Sequence, residues 1–373
     1  MDALAGLLDG PRARGAFLLR SVMEPPWCVR VEDRAPLTLL LMERGDAWVV
    51  PDGGRPPVRL RPGDVAVVRG PDAYRVADDP ATPPRVVIHP GQRSTTVDGE
   101  ELCAVMDLGV RTWGERPDGS AVMLSGTYQL TGEVGRRLLD ALPGVLLLER
   151  QAWESPLPAL LGEEIGRAQP GQEVFLDRLL DLLLIAVLRA WFARPEAAAP
   201  AWYRAHGDPV VGRALRLLHE EPAHPWTVAE LAARVGVSRA ALARRFTALV
   251  GEPPMAYLTE WRLTLAADLL CEPDATLGAV ARRVGYGSSF ALSAAFKRVR
   301  GISPQEYRAA GGRPADGQAV AVAVAVAVAG SGSVAGSARP AARNSSSAAS
   351  AAAKTAAIRS GEGASPALGA MVS

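Results

Sequence analysis

The sequence has few of the residues that build metal centres and disulfide frameworks. Its 373 residues include only three cysteines and four histidines. Cys28, Cys103 and Cys271 lie far apart, which excludes a disulfide scaffold and a thiolate-ligand spacing. Cys271 follows an apolar helical run and is expected to be a small buried side chain. Lysine is nearly missing: only Lys297 and Lys354 occur among 41 basic residues, so the cationic chemistry belongs to arginine. A net charge of +1 argues against a membrane-surface or broadly polyanion-binding protein. No apolar run reaches the roughly 18 residues of a membrane span, and the N-terminus has no charged-then-apolar leader pattern. The expected compartment is the cytoplasm. What remains is a hydrophobic content of 48% in a chain long enough for two domains and a tail.

The stretch from Pro225 to Arg308 says nearly the same thing twice. Thr227 to Ser238 precedes Leu242, Phe246, Gly251, Pro254 and Tyr257. Thr276 to Ser288 precedes Leu292, Phe296, Gly301, Pro304 and Tyr307, with the partners from Leu242 onward lying 50 positions further along. Such a pattern is a duplicated supersecondary unit. Each copy reads as helix, turn, helix. In the first, Thr227 is an N-cap with Glu230 at the capping-box position, Gly236 ends the helix and Ser238 caps the next. Leu242, Phe246 and Leu249 recur at helical spacing as the inward side. Ser238, Arg239, Ala240, Ala243, Arg244 and Thr247 form the opposite face, small and cationic as a major-groove reader requires. The second copy carries Ser288, Ser289, Phe290, Ser293, Lys297 and Arg298, with Ala294 where the first has Arg244. The first unit is therefore expected to supply base specificity, with Lys297, Arg298 and Arg300 meeting phosphates. Met255 to Leu270 reads as one helix joining the units, able to set the readers near one DNA turn apart. Charge alone would not identify this function: Asp208 to Gly311 holds 13 basic and 10 acidic side chains, a net of +3.

This stretch resembles the DNA-binding domain of the AraC/XylS transcriptional regulators over about a hundred residues. The matching positions include Ser238, Leu242, Arg245, Phe246, Gly251, Tyr257, Arg262, Ala266 and Leu270. Gly285-Tyr286, Phe296-Lys297 and Ile302 to Arg308 complete the match. The resemblance implies a transcription factor acting on double-stranded DNA, as a homodimer and in concert with RNA polymerase. Family members often carry arginine at the place of Ala294, which weakens the second unit as a base reader here.

Between Trp27 and His89 the texture is of short β-branched strands punctuated by Gly45, Asp52-Gly53-Gly54, Pro62-Gly63-Asp64 and Gly70-Pro71, the pattern of a β-barrel or sandwich. Ser94–Val97, Ala104–Leu108 and Val122–Leu124 extend it. The region resembles a cupin, the small barrel that often forms the sensor half of AraC-type regulators, on Glu43 to Gly53 and Leu60 to Pro71. It departs from metal-binding cupins: Tyr74 stands where the second motif has histidine, Leu37 to Leu41 holds no His-x-His pair, and His89 is alone. No metal, cofactor or catalytic set is expected, and the chain is read as a non-enzyme. Arg30, Trp48, Arg69 and Tyr74 are candidates to line a small-molecule effector site, with Trp48 more simply a core residue.

Residues 128–149 read as helical, through Leu138, Leu139, Leu142 and Val145 to Leu148. Leu157 to Ile165 gives one apolar side, and Phe175 to Phe192 is apolar nearly all round, so it must be covered on several sides. Glu196 to Pro200 reads as a linker, and His206, His219 and His224 as surface or hinge residues. Residues 312–373 are Ala, Ser, Gly and Pro without aromatics, expected to be disordered. The fold expectation is α+β in two domains: a cupin-like barrel with flanking helices over 1–150, a helical linker or dimerisation segment over 151–200, an all-α double helix-turn-helix domain over 201–311, and the tail. The leading function is a DNA-binding transcriptional regulator that senses a signal or dimerises through the barrel. The alternatives are a cupin enzyme with an accessory DNA-binding part and a ligand-independent regulator whose barrel only dimerises.

Overall fold

A computed structural model describes residues 17–128, 132–194, 197 and 199–311. The N-terminal segment around Leu4 to Leu8, part of the Glu196–Pro200 linker and the tail from 312 onward lie outside the described residues. Thirteen strands form the N-terminal part: β1 (Phe17–Met23), β2 (Cys28–Val31), β3 (Leu37–Arg44), β4 (Ala47–Pro51), β5 (Val58–Leu60), β6 (Val65–Arg69), β7 (Tyr74–Ala77), β8 (Val86–Ile88), β9 (Ser94–Thr96), β10 (Asp107–Gly109), β11 (Thr112–Gly114), β12 (Ala121–Tyr128) and β13 (Val145–Leu148). They make a seven-stranded sheet in the order β10-β11-β1-β12-β3-β6-β13 and a six-stranded sheet in the order β5-β4-β7-β2-β8-β9.

Strand parity sorts the cores. Along β3, Leu37, Leu39 and Leu41 face the helices, whereas Leu40 and Met42 belong to the interior between the two sheets. Both sets are buried, which is why this strand reads as a continuous apolar run instead of an alternation. In β6, Val65 and Val67 likewise join the helical side, and Ala66 and Val68 the interior.

Helix α1 (Gly132–Asp140) follows β12. Helical periodicity extends the α-structure to Leu148, but the structure turns Val145–Leu148 into an edge strand paired antiparallel with Val65–Val68. Pro143 and Gly144 break the helix, and the four apolar residues after them complete the large sheet. The short helix α2 (Leu157–Ile165) and the long α3 (Gln172–Phe192) then pack on that sheet, anchored where the buried Tyr128 hydroxyl donates to the Leu180 carbonyl at 2.8 Å. Coverage of α3 is not complete: Val174, Phe175 and Leu182 stay exposed along one strip.

The C-terminal part is all helical: α4 (Ala201–Arg204), α5 (Val211–Glu220), α6 (Val228–Val235), α7 (Arg239–Val250), α8 (Pro254–Leu270), α9 (Leu277–Arg283), α10 (Ser289–Arg300) and α11 (Pro304–Ala309). Two cores serve it. The first half of α8, with Tyr257, Leu258 and Trp261, shares one hydrophobic cluster with α5 to α7, α3 and the large sheet. The second half, with Leu263, Ala266, Ala267 and Leu270, forms a separate cluster with α9 to α11. Two sequence expectations fail here. Leu249 is exposed, because the inward stripe of α7 runs from Leu242 through Phe246 to Val250, one position further on. Cys271 is exposed too, because it caps α8 after the last buried turn.

Candidate nucleic-acid interface

The two helix-turn-helix units are built by the same local chemistry. Thr227 and Thr276 cap α6 and α9 by accepting from the Glu230 and Ala279 amides at 3.1 and 3.2 Å. Ser238 and Ser288 cap α7 and α10 by accepting from the Ala241 and Ala291 amides at 3.2 and 3.1 Å. The register between copies is 49 at the threonines and 50 at the serines (276 − 227 and 288 − 238), so the second turn holds one extra residue. In the first turn Gly236 takes φ +79; in the second Gly285 takes φ +83, and a Cβ there would come within 2.7 Å of the Ala223 backbone. Both reading helices end on a left-handed glycine, Gly251 and Gly301. Glu230 does not complete the expected capping box; its carboxylate meets His224 Nε2 at 2.8 Å instead.

The candidate reading faces point to solvent. Arg239, Ala240, Arg244 and Thr247 are exposed and Ala243 is half-buried, while Leu242 and Phe246 are fully buried beneath them. In the second unit Ser288, Ser289, Phe290, Ala294, Lys297 and Arg298 are exposed and Ser293 half-buried, over Leu292, Ala295 and Phe296. Arg239, Arg244, Lys297 and Arg298 have no ion pair among the described residues.

Other arginines are structural. Arg245, next to Arg244, turns the other way and pairs with Asp208 at 2.6 Å. Arg262 donates to the carbonyls of Pro222 and His224 at 2.6 and 2.7 Å, and burial holds its pKa below the usual guanidinium range. Arg308 donates to the Leu270 and Ala275 carbonyls at 2.8 and 2.6 Å. Arg300 corrects the sequence expectation: it does not stand free for phosphate but bridges α10 to Glu260 of α8 at 2.8 Å. Arg283 pairs with Glu272 at 3.3 Å, and Arg234 lies over the Trp226 ring.

The four candidate effector contacts do not converge. Tyr74 does line a hollow of about 70 Å³ between the two sheets, together with Trp27, Val29, Val31, Met123 and Trp113. Arg30, Trp48 and Arg69 do not, for one reason of parity: each sits one residue from an inward position. Arg30 points outward and pairs with Glu32 and Asp52. Trp48 is half-exposed under the Arg59 guanidinium, at 5.7 Å, so the core reading fails as well as the lining one. Arg69 is on the helix-facing side and donates to the Leu139 carbonyl at 3.1 Å. The polar groups that sequence reasoning missed are the buried Trp27, whose indole N–H has no partner among the described residues, and Asp33, Thr38 and Gln92, which line the same hollow. His89 bonds Thr95 at 2.9 Å, and the described residues bring no three His, Cys, Asp or Glu side chains together as metal ligands.

Sequence gave no sign of the seam between the barrel part and the reading part. Asp268 of α8 accepts from the first amides of α1, those of Glu133 at 2.5 Å and Val134 at 3.2 Å. The Tyr307 hydroxyl of α11 donates to Glu133 at 3.0 Å. One turn on, Arg137 lies over the rings of Tyr257 and Trp261, at 5.1 and 5.9 Å. His219 stacks on Trp261 and meets the Tyr257 hydroxyl at 2.7 Å. It is no surface residue: burial, aided by Arg137, pushes its pKa down to about 3.

A double-sheet barrel followed by paired, serine-capped reading helices defines a DNA-binding regulator on a cupin-type N-terminal domain. The sequence matches the family model described as "Cupin" over residues 2–193 and that of a "Helix-turn-helix domain" over 231–310. It is 33% identical over 315 residues to a Streptomyces lividans protein described as an AraC-like transcription regulator, covering 83% of this chain and 98% of that one. A Streptomyces antibioticus protein with the same description is 34% identical over 313 residues, with the same coverage. Among solved structures, the DNA-binding domain of AdpA in complex with a target DNA is 38% identical, covering 28% of this chain and 93% of that one with a TM-score of 0.27. The chain belongs to the AraC-type transcription regulators with an N-terminal cupin domain. It is accordingly a sequence-specific DNA-binding regulator and not an enzyme. Among the described residues no helix is long and apolar enough to cross a membrane.

Proposed function

We propose that this regulator works in the cytoplasm as a homodimer, reading its operator with α7 and α10 under the control of a small effector. The observation that carries the DNA contacts is the division of the arginines. Those that hold the helices together are engaged in the protein, while Arg239 and Arg244 stand exposed on the face that small residues keep clear. Ser238, Arg239, Ala240, Ala243, Arg244 and Thr247 enter the first major groove. Ser288, Ser289, Phe290, Ser293, Lys297 and Arg298 meet the second. The 17 residues of α8 span about 25 Å, in keeping with readers about one DNA turn apart.

Residues 1–150 serve as the sensor, 151–200 as the helical linker or dimerisation segment and 201–311 as the DNA-binding domain, with RNA polymerase as a further partner. The exposed strip of α3 supports the dimer: Phe175, Arg178, Leu182 and Arg189, with the half-buried Ile185 between the last two, follow one another at spacings of three and four, the seam of a helix pair. The hollow in the barrel supports a small, largely apolar effector without a negative charge, since its lining is mostly apolar, contains no cation and has Asp33 as its one charged side chain. Its small size also favours a second reading, a barrel that only dimerises. Titrating candidate metabolites while following thermal stability separates the two, because a bound effector raises the midpoint.

The test of the first reader is Arg244→Ala on an operator recovered by selecting bound genomic fragments. A base contact predicts a loss of about 1–3 kcal/mol on the operator and relaxed preference at one position. An equal loss on operator and random DNA assigns Arg244 to a phosphate and removes it from the specificity set.

A further inference from the structure

The two readers are alike in construction and opposite in chemistry. With the register of 50, Arg239 corresponds to Ser289, Ala240 to Phe290, Arg244 to Ala294 and Thr247 to Lys297. At the two positions where the first helix presents a guanidinium, the second presents a hydroxyl and a methyl. Bidentate recognition of guanine, the work of arginine, is therefore closed to the first turns of α10.

In its place stands Phe290. It is 82% exposed, more than any other large apolar side chain among the described residues. The core under α10 is formed by Leu292, Ala295 and Phe296 without it. A phenyl ring left in water forgoes the burial that usually places phenylalanine inside, and nothing in the helix requires it: its counterpart in the first copy is alanine. Phe290 sits one residue past the first helical position, Ser289, in the turn of a reading helix that comes nearest the base edges. Only one group on the floor of the major groove is apolar, the C5-methyl of thymine.

We infer that Phe290 is a specificity-determining residue that selects thymine, through its methyl group, in the half-site under α10. The operator is then read by two different codes. Arginines on α7 read hydrogen-bonding edges, and a phenyl ring on α10 reads a methyl. Lys297 and Arg298, at the far end of α10, hold the backbone while Phe290 discriminates. This rests on α10 entering the groove as proposed above.

The experiment uses the full-length protein and duplexes it selects from a random pool, compared with the pool selected by Phe290→Ala. Each thymine of the second half-site is then replaced singly by deoxyuridine, which removes the methyl and leaves the base pair unchanged. At one position wild type should weaken by about fourfold, the effect of one buried methyl. Phe290→Ala should bind the thymine and uracil duplexes alike and show no preference there. Its thermal midpoint should match wild type, since the ring packs on no core. If uracil is tolerated at every position, or Phe290→Ala keeps the uracil penalty, the assignment is overturned. Lys297→Ala locates the fault. Weakened binding by that variant with uracil tolerated removes only the methyl contact. Unchanged binding by both variants removes α10 from the groove and the methyl contact with it.

Discussion

Replacing Asp268 tests whether the barrel part and the second reader are mechanically joined. Asp268 acts as an N-cap supplied from another part of the chain, taking the Glu133 and Val134 amides that begin α1. Loss of a side-chain cap costs about 1 kcal/mol, within a range of roughly 0.5–2. The loss should fall mainly on α9 to α11. Their hydrophobic cluster is separate from the large one running from the barrel through α7, so the seam and α8 are what tie them to the rest. Asp268→Ala should thus raise amide exchange in α9 to α11 by about fivefold, the equivalent of 1 kcal/mol. Asp268→Asn should cost less than half as much. Asparagine keeps one acceptor, and burial already holds the Asp268 carboxyl above its ordinary range, so the ionised form is disfavoured in the seam. The sign follows: the folded protein keeps this proton to higher pH than the unfolded chain does. Wild-type stability should decline as pH rises through that interval, and Asp268→Asn should lack the decline. Exchange measured residue by residue on the three proteins decides the matter. Unchanged protection in Asp268→Ala, or equal damage from both variants, would refute a seam that holds the second reader.

Two further outcomes follow from the same structure. His219 is ordinarily a group of pKa near 6.5 and is pushed down to about 3, so the unfolded chain binds its proton across a window the folded protein leaves empty. Stability should fall as pH drops from about 6.5 toward 3, by at most about 1.4 kcal/mol per unit, and His219→Asn should flatten that acid branch in chemical denaturation. Leu182→Glu places a charge in the exposed strip of α3, where Leu182 is 51% exposed and carries no core. Sedimentation should show the proposed wild-type dimer replaced by monomers with an unchanged fold; a dimer that persists in the variant would move the interface elsewhere.

Much of this architecture is legible in the sequence because the signals are local. The caps Thr227, Ser238, Thr276 and Ser288 and the left-handed Gly236, Gly251 and Gly301 each fix a helix end with one residue. Strand punctuation places β2 to β9 in order between Trp27 and Val97, although β3 runs three residues beyond Leu41, to Arg44. The failures come where a long-range partner decides. Val145–Leu148 is helix or strand by composition, and only the free edge of β6 makes it a strand. Arg30, Trp48 and Arg69 missed the hollow because each lies one position from an inward residue, and a slip of one position exchanges a strand's two faces. His219 carries no local mark of its aromatic neighbours, which come from α8.

The arginines divide into those that carry the family resemblance and those that face solvent on the reading helices. The positions that carry the family resemblance, Arg245, Arg262 and Arg308, all bind within the protein, to Asp208 or to backbone carbonyls. Each fixes how one helix sits against another, a need that any DNA reader of this build has in common. Arg239, Arg244 and Phe290 have no such duty, so the fold does not constrain what stands there. Residues that the scaffold leaves unconstrained are the ones free to differ from one operator to the next. In the proposed reading mode, the pairing of two arginines on α7 with one bare phenyl ring on α10 therefore bears more directly on operator choice than any position by which the family is recognised.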